Sequence, residues 1–242
     1  MNLRFLFFIA ISTLIISCQS DEDLAPKQQK VYFKFSPKMD SLDFELNTDY
    51  DYSSGEVLNF EDFRMYVSNL ILIDVDSQRL VIDSVRLLDI SDMANWQFEL
   101  DIPAKNYKRF SFGLGLSPDL NAQDPATFPA EHPLSTLHQM FWSWGSQYKF
   151  MNIEGKFSKT DTGVVDHAFS WHPGLDTLYT TVEFDLEPAY AQDFELNLEL
   201  DLSGLIDSLD METQTAWHGD LGSIDIPKTI IKNIKSNLEL KQ

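Results

Sequence analysis

The chain has 242 residues, 43% hydrophobic and 13% aromatic, with 38 Asp and Glu against 18 Lys and Arg and a formal net charge of -20. So acidic a surface repels phosphate backbones and anionic headgroups, which argues against nucleic acid as a partner and against membrane attachment through a basic patch. One cysteine, Cys18, is too few for a disulfide scaffold.

From the N-terminus, Arg4 precedes an almost wholly apolar stretch over residues 5–16. At about a dozen residues it is shorter than the ~20 needed to span a bilayer, and it ends in Ile15-Ile16-Ser17-Cys18, the order of a bacterial lipobox. Residues 1–17 therefore read as a lipoprotein signal peptide, with Cys18 as the lipidated first residue of the mature chain. The run Ser20-Asp21-Glu22-Asp23 resembles the signal that sends Bacteroidetes lipoproteins to the outer face of the outer membrane. Residues 18–29 are then a polar, acidic tether, and the membrane is a partner only through the acyl chains at Cys18. With Cys18 acylated, the folded part has no thiol. That excludes thiolate zinc, iron–sulfur and blue-copper sites.

Residues 30–242 read as one domain, since no Gly/Ser/Pro-rich linker divides them. Period-two or β-rich runs occur at residues 31–35, 64–75, 96–100, 108–116, 148–157, 177–186 and 194–202. The last alternates without a break, its apolar side chains on one face and its polar ones on the other. The expected fold is all-β: an antiparallel β-sandwich with short helices. Residues 203–209 suggest a short turn capped by Ser203. Pro227 followed by Ile230, Ile231, Ile234 and Leu238 predicts a C-terminal helix capping an open end of the sandwich.

Several motif-like stretches fail on spacing. Residues 49–56 begin like a calcium loop, but Gly55 stands at the seventh position and Phe60 at the twelfth. There is no Gly-x-Ser-x-Gly elbow, phosphate loop, dinucleotide fingerprint or His-Glu-x-x-His.

All five histidines, His132, His138, His167, His172 and His218, fall after residue 130. Imidazole suits copper and zinc, copper being bound more tightly by the same donors. Loops cluster at the ends of a sandwich, so histidines far apart in sequence can meet there. His138 beside Met140 offers an N,S pair suited to Cu(I), whereas His167 alternates with Phe169 and Trp171 on an expected strand.

Phe63-Arg64-Met65-Tyr66-Val67-Ser68-Asn69-Leu70 is followed by residues 116–121 with Asp124-Pro125. Met140-Phe141-Trp142-Ser143-Trp144, Tyr148-Lys149-Phe150, Trp171-His172-Pro173-Gly174, Asp201-Leu202-Ser203 and Trp217-His218 come next. Their order and spacing resemble the MbnP-like family over roughly residues 30–240. The resemblance implies a secreted, β-rich, copper-binding protein associated with methanobactin, with a Bacteroidetes branch of lipoproteins. It also implies a partner dihaem oxidase of the MauG type, which converts a tryptophan to a kynurenine that joins the copper site. It assigns His172 and His218 as ligands, and His132 matches the Bacteroidetes branch. One departure stands out: Leu120-Asn121 is followed by Ala122, where methanotroph members carry a histidine. Either His132 replaces that ligand from the same loop, or the site differs. Trp142, Trp144, Trp171 and Trp217 are the candidates for oxidation.

The expected function is a surface or periplasmic lipoprotein that binds copper for capture or handling, not an enzyme. A carbohydrate or small-ligand module is the first alternative, because exposed tryptophans stack on sugars. A metallohydrolase with an open imidazole-held metal is the second.

Overall fold

The computed structural model describes residues 27–52, 55–143, 145–159, 163–187, 191–219 and 224–241. The signal peptide, Cys18 and the acidic run lie outside the described residues, as does Trp144. The sheet structure opens at Gln28, two residues inside the stretch read as tether.

Two sheets face each other. The first is built on β1 (Gln28–Met39), which pairs with β2 (Leu42–Asp43) and later with β6 (Gln97–Pro103), β13 (Phe194–Asp201) and, beyond β13, β15 (Leu238–Lys241). The second has β4 (Val57–Asp74) as its spine. Its first half lies between β3 (Asp49–Asp51) and β10 (Met151–Ser158), and its second half between β5 (Arg79–Asp89) and β7 (Tyr107–Leu114). Outward from these run β12 (Thr180–Asp185) on β7, and β11 (Val165–Trp171) with β14 (Ala216–Trp217) on β10. Within the long connection after β7 sit one helical turn, α1 (Pro118–Asn121), and a two-residue ladder of β8 (Phe141–Trp142) with β9 (Gln147–Tyr148).

Alternation explains the core. Leu196, Leu198 and Leu200 of β13, and Leu202 after it, are all buried, as are Val31, Phe33 and Phe35 of β1. Phe33 meets Phe110 of the opposite sheet with ring centres 5.4 Å apart, and Phe35 meets Phe112 edge-on at 5.8 Å. Aromatic contacts of this geometry add to area burial in joining the sheets.

The sandwich is as expected, but its pairing is mixed. β1 runs parallel to β13, Val31 opposite Phe194 and Lys38 opposite Asp201, and β11 runs parallel to β14. Parallel neighbours need a crossover; for β1 and β13 the intervening strands supply it, among them every strand of the second sheet except β14. β5 escapes the periodicity because Leu80-Val81-Ile82 and Leu87-Leu88 break alternation. Residues 203–209 form successive turns, and it is the Asp201 carboxylate that caps them, accepting the Ser203 N–H at 2.9 Å.

The C-terminal helix, α2 (Asp225–Ser236), buries Ile226, Ile230, Ile231 and Ile234 as one stripe. Leu238 has already left it for β15. The helix ties the turns after β13 to β12: the Asn233 amide donates to the carbonyls of Leu205 and Asp207, and the Lys235 ammonium donates to the Thr181 carbonyl.

Candidate functional site

The site begins with strand register. Ile153 pairs with Trp171 and Glu154 with Ser170 between β10 and β11, while Ser170 pairs with Ala216 and Trp171 with Trp217 between β11 and β14. Two Trp-His dipeptides thus lie side by side, and the His172 N–H donates to the Trp217 carbonyl at 2.9 Å. Since successive residues of a strand point to opposite faces, both indoles enter the core and both imidazoles point outward. Trp171 is 0% and Trp217 2% exposed. Trp171 Nε1–H also donates to the Gln214 carbonyl at 2.8 Å.

On the outer face the His172 and His218 rings are 4.8 Å apart, centre to centre. Ser170 Oγ joins them, 3.2 Å from His172 Nε2 and 3.0 Å from His218 Nε2. Glu154 Oε1 lies 2.5 Å from His172 Nε2. The half-buried Trp142 covers the pair edge-on, its ring centre 4.8 Å from that of His172 and 5.7 Å from that of His218. Lys149 Nζ sits 5.0 Å from the centre of the Trp142 ring and donates to Asn152 Oδ1 at 2.7 Å. Asn152 Nδ2 in turn donates to Asp62 Oδ2 at 2.8 Å, and Asp62 is held at both oxygens by Arg64.

The covering segment is locked from below. Asn121 Oδ1 accepts the Tyr148 N–H at 3.0 Å while its amide donates to Asp176 at 2.9 Å. The Pro173 carbonyl accepts the N–H groups of Phe150 and Met151 at 2.5 and 3.1 Å. Gly174 follows because a Cβ there would lie 2.3 Å from the Tyr148 carbonyl oxygen.

His172 is 5% exposed, and its pKa is pushed down to about 4, first by burial and then by the Lys149 ammonium. Glu154 pulls the other way, but its side chain is 41% exposed and water screens it, so burial and Lys149 prevail. At neutral pH the imidazole is uncharged. Donation of Nε2–H to Glu154 leaves the lone pair on Nδ1, which is buried and has no hydrogen-bond partner among the described residues.

The sequence grouped His132 with this pair; the structure places it elsewhere. Its ring stacks on Phe128 at 4.1 Å, and its Nδ1 accepts the Leu134 N–H at 3.1 Å. Burial, then His138, lowers its pKa. His138 Nε2 lies 3.1 Å from the His132 carbonyl oxygen, on a groove of about 450 Å³ shared with Asp83, Asp89 and Glu131. Met140 is buried in the core and meets the site through its carbonyl, which accepts the Lys149 N–H at 2.7 Å. His167 is half-exposed, 3.5 Å from Asp166. Among the described residues no three His, Cys, Asp or Glu are grouped to hold a metal unaided.

Glu154, Ser170 and Lys149 escaped the sequence reading. The signal that could have found the first two is the repeated Trp-His pair: two such dipeptides on adjacent strands expose two imidazoles on one face, and the polar residues one register step away join them.

These features define a class: a two-sheet β-sandwich carrying paired imidazoles under a tryptophan on the outer face of one sheet. The MbnP family profile matches residues 28–223, and the chain belongs to the MbnP family. The solved structure of MbnP from Methylosinus trichosporium shares the fold, with a TM-score of 0.57 and 19% identity over 81% of this chain and 82% of that one. No curated protein matches the chain.

Proposed function

We propose that the protein binds copper as cargo, with His172 and His218 as its imidazole ligands. The observation that carries this reading is the buried, unpartnered Nδ1 of a neutral His172 whose other ring nitrogen is backed by Glu154. Metal-binding histidines are oriented in this way, by a carboxylate on the far nitrogen. Copper is preferred over other metals because imidazole suits it and because the described part of the chain belongs to the MbnP family. Two imidazoles are an incomplete set, and Trp142, whose ring meets both, is where an oxidised indole would supply a further donor. A dihaem oxidase of the MauG type would be the partner for that conversion. Trp171 and Trp217 lie in the core on the opposite face. Acylation of Cys18 would hold the domain at the outer membrane, with copper capture or handling as its role.

The described tryptophans are buried or half-buried, which leaves a sugar-stacking module without rings among them to build its platform. The test is metal content by mass spectrometry of residues 19–242 after exposure to equal copper and zinc and desalting. One retained copper per chain is expected, reduced at least tenfold in His172→Ala and in His218→Ala. Unchanged copper in both variants would refute the ligand assignment.

A further inference from the structure

We propose that the lysine face of α2 is a docking groove for an acidic segment of a partner protein. The proposal is independent of what the imidazoles hold.

α2 carries one acid, Asp225, and exposes Lys228, Lys232 and Lys235. Steps of four and three residues keep the three on one stripe of the helix, where like charges repel and weaken it slightly. With 38 acids to 18 bases, the chain has carboxylates to spare, and it uses them on other lysines. Lys30 pairs with Glu99, Lys38 with Asp43, Lys105 with Asp74 and Lys156 with Glu61. Among the described residues Lys228 and Lys232 pair with none, and Lys235 gives one proton to the Thr181 carbonyl.

The row borders a groove of about 540 Å³ between α2 and residues 177–180. Leu178, Tyr179 and Ile231 give it apolar walls, and among the described residues no Asp or Glu lines it. On so acidic a molecule this is a local reversal of field: an acidic partner is repelled by the surface at large and drawn here.

Spacing selects the occupant. A helix rises about 1.5 Å per residue, so the lysines stand along the axis in steps of about 6 and 4.5 Å. Carboxylates on one face of an extended chain recur about every 6.6 Å, so an acidic peptide segment meets the ammoniums in turn, whereas a compact anion such as citrate is shorter than the row. The groove also has a direction. Thr177 lines the adjoining cavity with Asn121, Gly145, Ser146 and Gln147, and a Cβ on Gly145 would lie 3.7 Å from Trp142 Cε3. A partner seated on α2 therefore lies beside the cover of the imidazole pair.

The test is fluorescence anisotropy of dye-labelled hexaglutamate titrated with residues 19–242 at low ionic strength, with displacement by unlabelled peptide and by citrate. An exposed ion pair is worth up to about fivefold in affinity, so replacing all three lysines by Gln should weaken binding about 10- to 100-fold. The triple Arg variant should retain it. Lys30→Gln, Lys34→Gln and Lys38→Gln together remove the same charge from β1 and should leave the affinity within about twofold of wild type, since exposed charges beyond a Debye length are screened. Equal losses in the α2 and β1 variants would overturn the proposal, because net charge alone would then account for binding. Citrate displacing the peptide at equal concentration would overturn the peptide as occupant in favour of a small anion. Wild-type protein that does not bind hexaglutamate would overturn the docking groove outright.

Discussion

The depressed pKa of His172 makes a prediction about stability as well as about ligands. In the unfolded chain an imidazole protonates near pH 6.5; in the folded protein His172 resists protonation down to about 4. Between those values the unfolded state binds a proton that the folded state refuses, so stability declines as the pH falls from about 6.5 to about 4, and this contribution is level above and below that window. That difference corresponds to about 3 kcal/mol, a large share of the stability of an ordinary domain. Urea unfolding followed by tryptophan fluorescence at intervals from pH 7 to pH 4 measures it. Carboxylates also titrate at the acid end, so the comparison is between slopes. The wild type should lose about 3 kcal/mol more across the window than His172→Gln, whose amide does not ionise. Parallel curves for the two proteins would refute the claim that burial and Lys149 hold His172 neutral.

Three further perturbations separate the support of the site from its chemistry. In Gly174→Ala the new methyl would lie 2.3 Å from the Tyr148 carbonyl oxygen and 3.0 Å from Lys149 Cα. Backbone must move, and thermal unfolding should register a loss of about 1–3 kcal/mol together with weaker copper retention. Asn121→Ala strands the buried Tyr148 N–H, at a cost of about 1–3 kcal/mol by chemical denaturation; a stability within 0.5 kcal/mol of wild type would show that water replaces the amide. Glu154→Gln keeps the shape but removes the carboxylate behind His172 Nε2. Copper affinity measured by competition should fall about 10- to 100-fold with little change in thermal stability.

The sandwich was legible wherever one face of a strand is buried and the other wet, as in β13, where Leu196, Leu198 and Leu200 enter the core between Glu195, Asn197 and Glu199. β5 was hidden because Leu80-Val81-Ile82 puts apolar residues on both faces. The parallel partnership of β1 and β13 was hidden because a period of two says which face a residue takes and nothing about which strand lies alongside. The same limit governs the site. His172 and His218 could be named, but their meeting depends on the two-residue bridge between β11 and β14, too short for any pattern. Glu154 looked like one more solvated acid. A loop position does not fix which neighbours a histidine meets: the His132 ring lies against Phe128 and its Nδ1 is occupied by the Leu134 N–H.

The two Trp-His dipeptides tie the site to the fold more closely than loop-borne ligands would be. Each imidazole is one residue from an indole packed almost completely in the core, and core side chains at crystal-like density tolerate little displacement. The backbone beneath the imidazoles is held at Ser170, whose N–H donates to the Thr215 carbonyl, and at His172, whose N–H donates to the Trp217 carbonyl. Trp142 is half-buried and sits on a two-residue ladder, next to Phe141, which packs on the core and meets Tyr148 edge-on at 4.9 Å, and the segment is positioned by the Met140 and Pro173 carbonyls and by the fit of Gly174 beneath Tyr148. The site therefore joins a rigid floor carrying both imidazoles to a lighter cover carrying the indole. A chemical change to that indole could be accommodated by the cover while the spacing of the imidazoles is kept, which is the division of labour a copper site completed by an oxidised tryptophan would require.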